Sequence, residues 1–191
     1  MPVTYFKTCT RYNIPGHAHY LTFSCFHGQP FLSKPRSCQW LVDAIARAKK
    51  LHEFHLWAWV IMPEHVHLLV WPRRKLYSIS AILQSIKKPV TNKALHFVDT
   101  FTPAFAARMV DRQPNGDLSR RFWQRGGGHD RNIYSAEEVW EKIDYIHKNP
   151  FRRGLVARAQ DWQWSSAQEY TGDRPAPLLA LDRESLPIRR T

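Results

Sequence analysis

The chain has 191 residues, 43% of them apolar and 13% aromatic, which suffices for one well-cored domain and argues against global disorder. Lysine and arginine number 28 against 16 acids, and the resulting charge of +12 points to a polyanionic partner, nucleic acid ahead of an anionic membrane. No run of about 18 apolar residues is present, the start MPVTYFKTCTRYNIPGH lacks a signal-peptide apolar region, and Cys9, Cys25 and Cys38 show no CxxC spacing. A chain in the reducing cytoplasm, without a spanning helix or disulfide framework, is therefore expected.

Taken in order, HYLTFSCF (19–26) alternates and carries β-formers, so it reads as a strand. GQPFLSKP is a loop, after which Leu41, Ile45 and Ala48 set a helical period from about Ser37 to Lys50. FHLWAWVIM (54–62) and HVHLLVWP (65–72) are strands separated by Pro63 and Glu64, a tight hairpin. Ser78 caps a second helix in which Pro89 predicts a kink or a split. Residues 99–132 are the least regular, with a short strand expected at RRFWQR (120–125) before the glycines 126–128. Ser135 and Glu138 form a capping-box pattern for a helix ending near Lys148 or Asn149, before Pro150. FRRGLV and DWQWSSAQEY supply a return segment and a short closing element, with Trp162 and Trp164 as core. The order β-α-β-β-α-(β)-α is that of an α+β, ferredoxin-like (split βαβ) fold, an antiparallel sheet with helices on one face. One domain over 1–172 and a loosely ordered, proline-containing tail over 173–191 follow.

MPEHVHLLV (62–70) poses a question, because histidine is a poor choice for a purely apolar strand face. Side chains i and i+2 of a strand point the same way, so His65 and His67 sit side by side. Two neutral imidazoles at that spacing make two legs of a metal site, and equally they fit two half-buried histidines with backbone partners. In DYIHKNPFRRGLV (144–156), Tyr145 and Asn149 are i and i+4 on a helix and share a face, whereas His147 is turned away by about 200°. Asn149 could supply a third metal leg beside a free Tyr145 hydroxyl. Taken alone, the pair reads better as an amphipathic core residue and a helix C-terminal residue before proline.

MPEHVHLLV, FWQRGGGHDRNI, YIHKNPFRRGLV and DWQWSSAQEY, in that order, resemble the REP-associated tyrosine transposases, single-tyrosine members of the HUH endonuclease superfamily. The resemblance spans about residues 15–172, and Glu64 stands where asparagine is common in the family. It implies a ferredoxin-like domain that cuts and joins single-stranded DNA, with the catalytic tyrosine on a C-terminal helix. Position by position it implies Tyr145 as nucleophile, His65 and His67 as the metal pair, and Asn149 as third polar ligand. The implied metal is Mg²⁺ or Mn²⁺, without a nucleotide cofactor, and the implied product is a 5′-phosphotyrosine with a free 3′-hydroxyl.

A surface for DNA is expected at Lys87, Lys88 and Lys93 on the second helix, at Arg120, Arg121 and Arg125 around Phe122 and Trp123, and at Arg152 and Arg153 after the tyrosine helix. Cations mixed with aromatics, Trp123 among them, suit single strands, whose phosphates need charge and whose unstacked bases need π-faces. The expected partner is single-stranded or hairpin DNA, with monomer and homodimer both open. Two alternatives stand beside this reading. One is a non-catalytic DNA-binding protein on the same fold; the other is a hydrolase using water instead of tyrosine.

Overall fold

The computed structural model describes residues 11–126, 128–172 and 176–189. Cys9, Gly127 of the glycine loop and residues 173–175 and 190–191 of the expected tail lie outside the described residues. The elements run β1 (Ala18–Ser24), α1 (Pro35–His52), β2 (Phe54–Ile61), β3 (His65–Pro72), α2 (Ile79–Phe101), β4 (Val110–Arg112), β5 (Leu118–Arg120), β6 (His129–Ile133), α3 (Ala136–Arg152) and α4 (Ala167–Thr171). The main sheet has the order β2-β3-β1-β6 with every pair antiparallel, and β4–β5 is a separate hairpin inserted between α2 and β6. This is the expected split-βαβ arrangement.

Alternation along the strands divides the apolar residues between two cores. Leu21, Phe23, Val66, Leu68 and Val70 pack under α1 and α2, against Leu41, Ile45, Ile82 and Ile86. Tyr20, Val60, Leu69 and Ile133 go to the other face, where Val139, Ile143 and Ile146 of α3 cover them. A β-bulge between Leu56 and Ala58 puts both Trp57 and Ala58 on this second face. The helices expected on one face are thus α1 and α2, while the tyrosine-bearing α3 crosses the face they leave free.

Three local expectations change. First, α2 runs unbroken for 23 residues through Pro89. The lost backbone bond is outweighed by a stripe of buried Ile82, Leu83, Ile86, Val90, Ala94 and Val98 along α1 and the sheet. Second, α3 continues past Asn149 to Arg152 and takes Pro150 into its last turn. At its start, the Ser135 hydroxyl accepts from Glu138 N–H, while the Glu138 carboxylate accepts from Tyr134 N–H instead of completing the box at Ser135. Third, residues 121–126 form no strand: Trp123 makes one bridge to Cys25, and the fourth strand of the sheet is β6, which sequence reasoning did not find.

Read from the sequence as loosely ordered, the segment 176–189 is instead tied to the open edge of β2. Leu56 N–H donates to the Asp182 carboxylate at 2.8 Å and Asp182 N–H donates back to Leu56 C=O at 3.1 Å. Trp57 donates its indole N–H to Ser185, Trp140 donates to Pro187 C=O, and Leu179 is buried. Further along the same edge, Ser166 N–H donates to Trp59 C=O and Ile61 N–H to Trp164 C=O. An edge strand presents unpaired backbone groups, and these segments satisfy them.

Candidate active site and nucleic-acid interface

The β1–β3 register sets Thr22 opposite His67 and Ser24 opposite His65, so both imidazoles rise from the α3 side of the sheet beside Tyr20 and Thr22. Their Nε2 atoms face each other at 3.0 Å. From α3, the Asn149 amide reaches His67 Nε2 at 3.1 Å, and the Tyr145 ring stands edge-on to His67 with centroids 5.8 Å apart. Residues brought from β3 and from a helix some 80 positions later therefore meet at one point. Tyr145 is 39% exposed, whereas His67 and Asn149 are buried. His147 points away, as its helical phase requires, and its Nε2 lies 2.9 Å from the Ser166 hydroxyl.

The electrostatics favour neutral imidazoles. Burial, reinforced by His65, pushes His67 down to about 3, and burial also lowers His65 against the opposing pull of Glu64. The Glu64 carboxylate lies 3.1 Å from His65 Nδ1, which holds the ring proton there and leaves a lone pair on Nε2. His67 Nδ1 faces the hydroxyls of Tyr20 at 2.7 Å and Thr22 at 2.8 Å, which can donate or accept and so serve either tautomer. Among the described residues no three His, Cys, Asp or Glu side chains gather as a metal site. The donor set is two imidazoles and one amide, whose oxygen faces the pair after a half-turn of the Asn149 side-chain amide. Imidazole and amide oxygen both suit a divalent ion, so these residues fit one.

Sequence reasoning missed several residues of this site. Tyr20 and Thr22 alternate correctly on β1, but nothing in the sequence gave the register that sets them beside His67. Burial raises the Tyr20 phenol to about 12, and neighbouring Tyr145 adds to the rise. Lys142 projects its ammonium to 5.4 Å from the Tyr20 ring centre and 5.7 Å from that of Tyr145, and the Arg152 guanidinium lies 5.4 Å from the Tyr145 ring centre. Lys142 could have been found, since it is three residues before Tyr145 and shares its helix face. Arg153 pairs with Glu64 at 3.0 Å, so both arginines after the tyrosine helix border the site.

The other expected DNA residues gather elsewhere. Lys87 and Lys88 of α2, with Arg120, Arg121, Arg125 and Arg11, line a cleft of about 580 Å³. Arg120 is paired with Asp99, and Arg121 and Arg125 share Asp111. Lys87 is pushed down to about 8, by burial first and then by Arg11 and Arg121. Lys93 pairs with Asp43 on the α1 side at 3.6 Å and does not join them. Trp123, expected as a stacking face, is only 5% exposed: it packs edge-on against Phe23 and Phe122, and its indole N–H donates to Lys87 C=O. Anchoring the 120–126 segment to β1 and α2 consumes the ring faces that a base would need.

No protein-family model matches the chain. It is 28% identical over 128 residues to a REP-associated tyrosine transposase of Escherichia coli K12, a match spanning 67% of this chain and 63% of the relative. Among solved structures, that of a REP-associated tyrosine transposase bound to a REP hairpin superimposes with a TM-score of 0.69 at 22% identity, covering 97% of this chain and 99% of the other. The resemblance carried by the four motifs is borne out by these relatives, and the fold by the superposition.

Proposed function

We propose that the chain is a metal-dependent enzyme that nicks and rejoins single-stranded DNA next to a hairpin, with Tyr145 as nucleophile. The observation that carries this reading is the convergence of Tyr145 and Asn149 of α3 on the His65–His67 pair of β3. Similarity to REP-associated tyrosine transposases, one of them bound to a REP hairpin, supports the class of substrate.

A phosphodiester resists attack because it is anionic and its leaving alkoxide is poor. A divalent ion held by His65, His67 and Asn149 would neutralise charge on the non-bridging oxygens. Glu64 keeps the lone pair of His65 turned inward, and the Tyr20 and Thr22 hydroxyls can accept from His67 Nδ1–H and so allow its Nε2 lone pair to face inward as well. The Tyr145 oxygen attacks phosphorus as its proton departs, and the bond to the 3′ oxygen breaks. The products are a 5′-phosphotyrosine and a 3′-hydroxyl. Because the phosphoester bond is conserved on the enzyme, the 3′-hydroxyl of another strand can displace Tyr145 and reseal DNA without a nucleotide cofactor. Lys142 and Arg152 place positive charge beside the phenol while its negative charge develops.

The test is direct. Protein, hairpin DNA with a single-stranded flank, and Mn²⁺ are incubated and run on a denaturing gel. A covalent protein–DNA band from the wild type and none from Tyr145→Phe is the expected result. Cleavage by Tyr145→Phe at the wild-type rate would withdraw the reading in favour of water or another tyrosine.

A further inference from the structure

The helices α1 and α2 pack antiparallel, with Arg36 against Phe97 at one end of the pair and His52 against Ser85 at the other. At the Arg36 end, the two helices and the 3₁₀ turns of Pro103–Met109 leave a groove of about 610 Å³ between them. Its walls are rings: Phe31 stands edge-on to Phe105 with centroids 5.7 Å apart, and Trp40 lies beside Phe97 at 6.1 Å. Buried Phe122 separates it from the basic cleft. We propose that this groove docks an acidic amphipathic helix of a partner protein, with apolar residues on its inner side and carboxylates along its edges. The proposal goes beyond the DNA-joining reading and does not depend on it. Because α1 and α2 cover the face of the sheet opposite α3, a partner seated here leaves Tyr145 open.

Apolarity and charge together select the occupant. A contiguous apolar recess with a charged rim is the anatomy of a protein–protein contact. The track continues past the groove onto Phe101, which is 65% exposed and packs on Phe97 at 5.0 Å, so it is longer than a compact small molecule spans. On the rim, the Arg36 guanidinium lies 3.9 Å from the Phe97 ring centre and that of Arg108 lies 5.0 Å from the Phe105 ring centre, each presenting charge over a ring. Arg108 donates to the Gln29 side-chain oxygen. Among the described residues, neither arginine nor Lys34 pairs with a carboxylate, whereas Lys93, Arg120, Arg121 and Arg125 all do. No acidic residue lines the groove. Here α1 begins without an acid in its first turn and with Lys34 in the capping place, so the helix dipole adds to the positive rim.

Other occupants fit less well. A lipid surface is flat and takes protruding residues, whereas these rings line a recess. Nucleic-acid bases carry polar edges, and the groove has two side-chain hydroxyls, of which Ser37 is already spent on Lys34 C=O. A second copy of the chain brings a charge of +12 against the same charge, and its acid-rich apolar stretch AEEVWEKID in α3 is packed on the sheet. From Ala94 to Thr102 the α2 wall runs about 12 Å, two helical turns, which suits anchors at i, i+3 or i+4, and i+7 of a docked helix.

The experiment uses the full chain and a fluorescent designed peptide of about 16 residues, with leucine and phenylalanine at i, i+4 and i+7 and glutamate on both flanks. Binding is followed by anisotropy at about 150 mM salt, which screens the general attraction of a basic protein. The comparison peptides are a scramble of the same composition and a version with lysine for glutamate. The ordered acidic peptide is expected to bind at least tenfold tighter than the scramble. Arg36→Glu/Arg108→Glu should weaken it roughly tenfold and bind the lysine peptide more tightly than the wild type does. Arg47→Glu/Lys50→Glu makes the same charge change further along α1 and should alter binding less than twofold. Phe97→Ala should also weaken the acidic peptide; if that variant fails to fold, the two charge reversals decide alone. Equal binding of ordered and scrambled peptides, or equal effects of the two charge reversals, overturns the proposal. So does an Arg36→Glu/Arg108→Glu protein that keeps the peptide but loses phosphatidylserine vesicles or an unstructured oligonucleotide, which assigns the groove to lipid or to nucleic acid.

Discussion

On β3, Val66, Leu68 and Val70 go to one face of the sheet and His65, His67 and Leu69 to the other. The first face is closed by two long helices and filled with aliphatic side chains. The second is crossed by α3 and is apolar around Leu69, Ile133 and Ile143 and along β2. At its other end Tyr20, Thr22, His65, His67 and Asn149 satisfy one another's polar atoms. One strand thus carries both core residues and the candidate site because its period of two keeps them apart. The α1–α2 face can be dry throughout, and the polar cluster, being internally hydrogen-bonded, avoids the cost of unpaired buried groups.

If this division holds, substitutions on the two faces should fail in different ways. The largest expected effect is on activity alone. Tyr145→Phe removes one oxygen from a partly exposed ring, so covalent adduct should vanish while the melting temperature and hairpin affinity stay within error of the wild type. A large fall in melting temperature would instead make Tyr145 a structural residue. Next comes the metal. Chelation should abolish adduct formation, and His65→Ala should reduce it severely with partial recovery at high Mn²⁺, read from a titration of adduct against Mn²⁺. Indifference to chelator would remove the metal from the mechanism.

Stability then sharpens the contrast from the other side. Leu68→Ala, one residue from His67, should cost about 2–5 kcal/mol in denaturant unfolding because it opens a cavity under α1 and α2. His67→Ala should cost less, because it removes a group already taken from water at a penalty. Equal losses would mean that the histidine side of the strand is also structural.

The smallest expected effect concerns pH and a histidine outside the site. Burial pushes His147 down to about 4, well below its value in the unfolded chain. The unfolded chain therefore binds this proton first as pH falls. Its contribution is fully present above about pH 6.5 and is lost toward pH 4, at about 1.4 kcal/mol per unit. Between pH 7 and 5 the wild type should lose about 1–2 kcal/mol more than His147→Gln. Parallel stability curves would show that His147 is not held neutral.

Much of this protein was legible from residue order because the decisive periods are local. Alternation in 19–26, 54–62 and 65–72, the helical spacing of Leu41, Ile45 and Ala48, and the caps at Ser78 and Ser135 locate most elements. The same local rules place His65 with His67, and Tyr145 with Asn149 but not with His147. Long-range burial and pairing decided the rest. Pro89 and Pro150 break helices only when nothing outweighs the missing N–H, and here the buried apolar stripe of α2 and the packing of α3 on the sheet do so. β6, with His129, Asp130 and Arg131 in succession, has no strand pattern and becomes one by pairing with β1. Trp123 reads as a ring among arginines, yet the bridge at Cys25 turns it inward. The tail is held by backbone groups left open on β2, a demand that no residue of the tail itself displays. Even the meeting of β3 with α3 is tertiary: β3 brings the two imidazoles and α3 the amide, and only the packing of the helix across the sheet joins them.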